Sequence, residues 1–157
     1  MDKSKEKHYL SQEKCDELVA ELSNLKTIKR KEIAERLEFA KSLGDLSENA
    51  EYHSAREEQA DTEDRIGQIE NILKTCEIIT QHHGGTVQVG SKVVVKKSSD
   101  KSESELLIVG PEEVDPTQGK ISYLSPLGSK LMGNKPGSKI SVTTPKGQLA
   151  YEIVKIK

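Results

Sequence analysis

Gly44-Asp45-Leu46-Ser47-Glu48-Asn49-Ala50-Glu51-Tyr52 is the stretch on which the fold turns. On its N-terminal side, Ser11 to about Leu43 contains neither Gly nor Pro. Leu18, Leu22 and Leu25 begin an apolar seam at helical spacing, and the seam resumes at Ile33, Leu37 and Ala40. Ser11 suits an N-cap, and Gly44 ends the pattern. The interval from Leu25 to Ile33 reads as a stutter, with Lys29 on the expected line. On the C-terminal side, roughly Glu48 to Thr80 carries Tyr52, Ala55, Gln59, Thr62, Ile66, Ile69, Leu73 and Cys76 in alternating steps of three and four. That is a heptad line with a soft middle. Two such helices joined by a few residues hide their seams by folding back as an antiparallel hairpin. At about 1.5 Å per residue, a helix of about 33 residues reaches roughly 50 Å, so the quoted stretch sits at the far end of a rod.

Beyond the second helix the pattern changes. His82-His83-Gly84-Gly85 reads as a linker; a metal pair at the two histidines is the weaker alternative. Strands are expected at 86–89, 92–97, 105–109, 120–124, 140–144 and 149–157, separated by Gly, Pro, Ser and Asp. A short helix fits from Ser125 to Met132, with Ser125 as N-cap, Pro126 at the first helical position and Gly133 past the end. The fold class is α+β, with a coiled-coil hairpin over residues 1–80 and a small antiparallel-sheet domain over 81–157.

Composition agrees with long solvated helices. Of 157 residues, 32% are charged and 3% aromatic, with one Phe and no Trp. Residues 1–80 hold 13 basic and 19 acidic side chains and residues 81–157 hold 11 and 7, which suggests modules facing different partners. Neither half is strongly basic, which argues against duplex DNA as the main ligand. No run of eighteen apolar residues occurs, so no membrane association is expected. Two cysteines, Cys15 and Cys76, are too few for a disulfide scaffold, and a reduced, cytoplasmic protein is expected. On a hairpin these two lie nearly opposite each other at the base, as a redox staple or as two small core residues.

Asp45 and Glu48 are two carboxylates three residues apart where the chain reverses. Mg²⁺ takes hard oxygen ligands and is often held by one or two carboxylates plus water and phosphate, so such a tip can complete a half-made metal site. It is no active site by itself, because a rod tip has no walls. The competing reading is that both residues cap the second helix. Arg30, Lys31, Arg36, Lys41 and Arg56 lie behind the tip, either tracking the phosphates of a single strand or paired on a solvated face, as in Glu32–Arg36. In the second half, Leu124-Ser125-Pro126-Leu127 is an apolar turn, either a docking surface or a helix entry. That half shows no nucleophile with its base, no phosphate-cradling Gly loop and no CxxC.

Gly44 to His53, followed by Ala55-Arg56-Glu57-Glu58-Gln59, resembles the hairpin tip of the bacterial Gre transcript-cleavage factors, of the GreA type. Ile108-Val109-Gly110, Ile121-Ser122, Ser125-Pro126-Leu127 and Thr144-Pro145-Lys146-Gly147 follow in that family's order, so the similarity runs from about residue 10 to the end. The resemblance implies a coiled-coil hairpin followed by an FKBP-like domain. It implies a monomeric transcription elongation factor that docks on the rim of the RNA polymerase secondary channel. The hairpin would enter that channel beside the 3′ end of backtracked RNA and stimulate the polymerase's own cleavage of the transcript. By the same resemblance Asp45 and Glu48 share a polymerase Mg²⁺, with no cofactor of the chain's own. Ser47 and Asn49 support the turn, Arg36, Lys41 and Arg56 face RNA, and Leu124, Ser125 and Pro126 dock. The chain departs from the family at Ala60-Asp61-Thr62-Glu63-Asp64, which is more acidic and loosens the seam. The FKBP-like fold does not imply prolyl isomerase activity, since Tyr123 and Tyr151 are the domain's only aromatics. A channel plug, an isomerase with a helical arm and a coiled-coil adaptor are the rival readings.

Overall fold

The structure, a computed structural model, describes residues 7–80 and 84–157. By internal contacts the chain forms two compact units, one of residues 15–75 and one of residues 1–14 with 76–157. The metal reading of His82-His83 falls outside the described residues.

The first unit is the hairpin. Helix α1 (Gln12–Asn24) runs through a π-helical turn, Leu25–Lys29, into α2 (Arg30–Ser42). After the reversal, α3 covers Ala50–Thr75. The π turn lies where the stutter is. Arg30 N–H donates to Leu25 O, one residue further back than in an α-helix, so one extra residue is absorbed. Leu25 to Ile33 spans eight positions where a heptad allows seven, and the wider turn returns Ile33 to the buried side. Lys29 sits half-buried on that seam, as its spacing requires.

The facing surface is thin. Leu18, Ile33 and Ala40 are buried on one helix, and Ala55, Thr62, Ile66, Ile69 and Ile72 on the other. Ala40 and Ala55, both fully buried, lie nearest the reversal, and their small side chains let helix backbones approach closely. Ion pairs flank this seam. Arg30 meets Glu63 in a two-pronged contact at 2.7 and 2.6 Å, and Arg65 meets Glu21 at 2.7 and 3.0 Å. Lys26 pairs with Glu70, and Lys29 with Glu58.

The second helix ends earlier than its periodicity predicts. Cys76–Ile78 is a strand, β2, paired in parallel with β1 (His8–Leu10), and Ile79 N–H donates to Leu10 O at 2.8 Å. Seam spacing continues through Cys76, but the chain leaves the helix because a partner distant in sequence satisfies its backbone. Cys15 and Cys76 are half-buried and are not joined in a disulfide.

The remaining unit is built on a five-stranded sheet. Its strands are β3 (Lys92–Lys97), β4 (Glu103–Val109), β5 (Lys120–Ser122), β6 (Lys139–Thr144) and β7 (Gly147–Ile156), in the order β5-β4-β3-β7-β6. Pairing is antiparallel except at the β4–β5 edge, which is parallel. Between Val94 and Val95 the β3–β7 register slips, leaving Val154 as the extra residue, exposed on the bulge. Alternation along the strands places Val93, Val95, Ile108, Ile140, Val142 and Ile153 in one core, closed by Leu131 from α4 (Pro126–Leu131) and by Val87. Residues 86–89, expected as a strand, form a loop, and Val87 exchanges backbone hydrogen bonds with Gly133 and Asn134 at 2.8 Å each. Tyr123 meets Tyr9 edge-on, with ring centroids 5.7 Å apart, and Tyr151 packs against the core.

Helix α4 can sit where it does because residue 128 is Gly. A Cβ there would lie 2.0 Å from the Ser122 carbonyl oxygen. By contrast a Cβ on Gly67, within α3, meets nothing within 4 Å. Gly128→Ala is therefore expected to destabilise the sheet unit by roughly 2 kcal/mol or more through overpacking. Gly67→Ala is expected to stabilise α3 by about 0.5–1 kcal/mol through helix propensity. Urea denaturation of both variants, followed by far-UV circular dichroism, checks the pair; a neutral Gly128→Ala contradicts the close approach.

Candidate functional site

The reversal occupies residues 43–49, and every residue from Lys41 to Glu48 is exposed. Gly44 takes φ +98°, the left-handed region that ends helices at little cost only for Gly. Leu43 and Gly44 N–H groups close the last turn of α2 on the Ala40 and Lys41 carbonyls at 3.2 and 3.3 Å.

Asn49 joins the two helix ends. Its Oδ1 accepts from Tyr52 N at 3.0 Å, capping α3, while its Nδ2 donates to the Ala40 carbonyl of α2 at 2.7 Å. One side chain thus satisfies an orphan N–H of one helix and a carbonyl near the end of the other. The reading in which Asp45 and Glu48 cap the second helix is corrected here: the helix starts at Ala50, and its cap is Asn49.

Asp45 instead closes a turn of its own. Its Oδ1 accepts from the Ser47 hydroxyl at 2.8 Å and from the Ser47 N–H at 3.2 Å. These two bonds, the hydroxyl first, hold the Asp45 carboxyl below its ordinary value, so it is an anion with its geometry set. Glu48 makes no hydrogen bond or ion pair with any described residue. His53, one turn into α3, places Nε2 3.2 Å from the Ser47 carbonyl oxygen, and its ring meets that of Tyr52 at 5.7 Å. The tip therefore presents one carboxylate held by hydrogen bonds and one that is uncommitted. Sequence reading missed a part for His53; its only signal was a position six residues after Ser47, one helical turn past the cap.

The basic residues divide. Arg36 is engaged by carboxylates of α3: Nε and Nη2 donate to Glu51 at 3.1 and 2.9 Å, and Nη1 pairs with Glu58. The i,i+4 partner expected for it, Glu32, is not the one it takes. Lys29 above all, together with Arg36, holds the Glu58 carboxyl below its ordinary value. Lys41 is exposed, and Arg56 donates to Gln59 Oε1 at 2.8 Å. Among the described residues, Lys41 and Arg56 are the tip-proximal cations not committed to a carboxylate, and Arg36 is not.

In the sheet unit, Ser125 caps α4 as its spacing predicts. Its Oγ accepts from Gly128 N at 3.0 Å and donates to the Ser122 carbonyl at 2.7 Å. Pro126 occupies the first helical position. Leu124 is held between these bonds with its N–H on Ser122 Oγ at 3.0 Å, yet is 65% exposed. A large apolar side chain on a rigid turn is pre-ordered for contact.

Among the described residues no group of three or more His, Cys, Asp or Glu side chains is placed to hold a metal ion. No described helix is long and apolar enough to cross a membrane.

Two family models cover this chain. One, described as "Transcription elongation factor, N-terminal", matches residues 8–78; the other, "Transcription elongation factor, GreA/GreB, C-term", matches residues 81–157. Transcription elongation factor GreA of Clostridium acetobutylicum is 48% identical over 157 residues, covering 98% of this chain and 99% of the relative. That of Bacillus cereus strain AH187 is 43% identical over 155 residues, covering 97% and 98%. The crystal structure of a GreA factor homolog from Thermus thermophilus is 26% identical and covers 96% of this chain and 99% of that one. At a TM-score of 0.42 that likeness carries no argument.

Asn49→Ala is expected to lower hairpin stability by about 1 kcal/mol, the usual cost of losing an N-cap, read as a lower thermal midpoint. Ser47→Ala is expected to return the Asp45 carboxyl toward its ordinary value, measured by carbon NMR titration. The wild-type turn is stabilised by this carboxylate above the ordinary carboxyl range and loses that contribution as pH falls through the depressed value. An Asp45 titration unmoved by Ser47→Ala would refute the cause assigned to it.

Proposed function

This chain belongs to the GreA/GreB family of transcription elongation factors, and we propose that it acts by carrying the tip carboxylates Asp45 and Glu48 into RNA polymerase to stimulate cleavage of backtracked transcripts. The observation that carries this reading is the tip itself: a pre-set Asp45 anion and an uncommitted Glu48, both exposed at the reversal of a two-helix hairpin. α3 alone, 26 residues at about 1.5 Å each, extends about 40 Å, which suits reaching through a narrow passage such as the secondary channel.

The donor set fits a shared Mg²⁺ and does not suffice for a resident one. Carboxylate oxygens are the ligands this ion prefers, but two carboxylates leave most of an octahedral shell to water and to a partner. In this reading Asp45 and Glu48 hold the ion jointly with polymerase. Such an ion neutralises phosphate charge and lowers the pKa of bound water when in place. The chain's own contribution is positional. Ser47 aims Asp45, and Asn49 holds the loop between two helix ends. Glu48 remains free to turn toward the reacting phosphate. The polymerase stays the nuclease.

The extruded 3′ end of the RNA is a single strand of phosphates. Lys41 and Arg56 are the cations proposed to meet it, whereas Arg36 would first have to give up Glu51 and Glu58. The turn Leu124-Ser125-Pro126 is proposed as the docking point on the channel rim, with the exposed Leu124 as its anchor.

Purified backtracked polymerase complexes, incubated with Mg²⁺ and this protein, are expected to shorten their transcripts. Asp45→Asn or Glu48→Gln should lower the stimulated rate by roughly 100-fold, the order seen when one preorganised electrostatic stabiliser is removed, with polymerase binding little changed. Leu124→Ser should instead weaken binding and leave cleavage at saturating protein intact. If wild type and Asp45→Asn both slow elongation and neither shortens RNA, the protein is a channel plug and this reading fails.

A further inference from the structure

We propose that His53 is a positioning residue for the two tip carboxylates, acting through the Ser47 carbonyl group. The inference rests on the reading that Asp45 and Glu48 serve transcript cleavage, and it adds the residue that holds them in place.

The loop from Leu43 to Glu48 is exposed throughout, so no apolar packing orders it. Two side chains of described residues tie it back to the helices, Asn49 at its end and His53 at Ser47. His53 Nε2 lies 3.2 Å from the Ser47 carbonyl oxygen. A carbonyl oxygen only accepts, so Nε2 must carry the proton, which fixes the neutral ring as the Nε2–H tautomer. The His53 backbone N–H is bonded to Asn49 O at 3.1 Å, which sets the residue in the first turn of α3, and the ring lies beside that of Tyr52 at an interplanar angle of 67°.

Ser47 is the residue on which both carboxylates depend. Its hydroxyl and N–H hold Asp45, as described above. Its carbonyl belongs to the planar peptide whose other end is the nitrogen of Glu48. Holding that oxygen orients the whole plane and thereby the direction in which Glu48 leaves the loop. Without the His53 bond the plane loses its direct restraint, and Asp45 and Glu48 sample a wider range of separations, of which fewer suit one ion. His53 is exposed and contributes no core, so losing it should leave the hairpin folded.

The test compares wild type, His53→Leu, His53→Gln and Asp45→Asn on backtracked polymerase complexes over a Mg²⁺ series. Polymerase binding is measured by competition and helicity by circular dichroism. Gln reaches a donor N–H to about the position of Nε2, whereas Leu keeps bulk and has no donor. His53→Leu is expected to lower stimulated cleavage about ten-fold at limiting Mg²⁺, the scale of losing a group that orients a metal ligand, and to recover as Mg²⁺ rises. His53→Gln should restore most of the rate, with binding and helicity equal in all four proteins. Nitrogen NMR of the wild type should show the Nε2–H tautomer.

Full activity of His53→Leu at every Mg²⁺ concentration overturns the inference, as does a loss that Gln fails to restore. A loss accompanied by lower helicity assigns His53 to folding and overturns it as well. If Asp45→Asn is inactive while His53→Leu is fully active, only the His53 inference falls. If Asp45→Asn is itself fully active, the tip reading falls with it.

Discussion

Two helices have one shared face between them, and most of the hairpin follows from how little that face can bury. Its buried positions are few and several are small, with Thr62 in the middle of α3 where a larger apolar residue would pack better. The helices are therefore joined along their flanks by charge, through Glu21–Arg65, Lys26–Glu70, Arg30–Glu63 and the pairing of Arg36 with Glu51 and Glu58. Exposed pairs of this type are screened by salt and hold register better than they hold stability. The high charge of the chain and its poverty in aromatics are the same fact at the level of composition. Residues that at first look like a basic track for nucleic acid are largely spent on keeping two helices together, which is why Lys41 and Arg56, outside those pairs, remain the cations of interest.

At the reversal the constraint changes from packing to hydrogen bonding. No core reaches the loop, so its shape comes from polar atoms alone. Asn49 bridges two helix ends, Asp45 folds onto Ser47, and His53 reaches back to the carbonyl of the same serine. A loop ordered this way presents its acidic groups to solvent without surrounding them. That is suited to entering another molecule's site and unsuited to being one. The sheet unit meets the opposite condition. It has a closed core, and the exposed Leu124 stands on a turn whose neighbours are all bonded.

Periodicity made the hairpin legible. The seam, the break at Gly44, the stutter and the Ser11 cap all lie where residue spacing puts them, with Lys14 N–H donating to Ser11 Oγ at 3.1 Å. The capped helix α4 was equally readable from Ser125, Pro126 and Gly133. Whatever depended on partners far along the chain was not legible. Cys76–Ile78 keeps a helical seam position yet pairs with His8–Leu10, and Thr86–Val89 looks like a strand but has only a loop beside it. The parallel β4–β5 edge follows from no local signal. At the tip, residue types named the two carboxylates. Which residue caps α3, and which cation is already engaged, were decided by geometry between helices that a single strand of letters does not carry.

The π turn at Leu25–Lys29 has a bearing on how such a chain can change over generations. Adding or removing one residue in an α-helix rotates everything beyond it by about 100°. In a hairpin, that swings the seam out of its partner and the tip out of aim. A π turn is an insertion already accommodated, so losing one residue within it leaves an ordinary helix with the distal half still in phase. This short segment is thus the place where the arm tolerates a change of length by a single codon. Elsewhere along the seam, lengthening would come in whole heptads, in which both helices grow together.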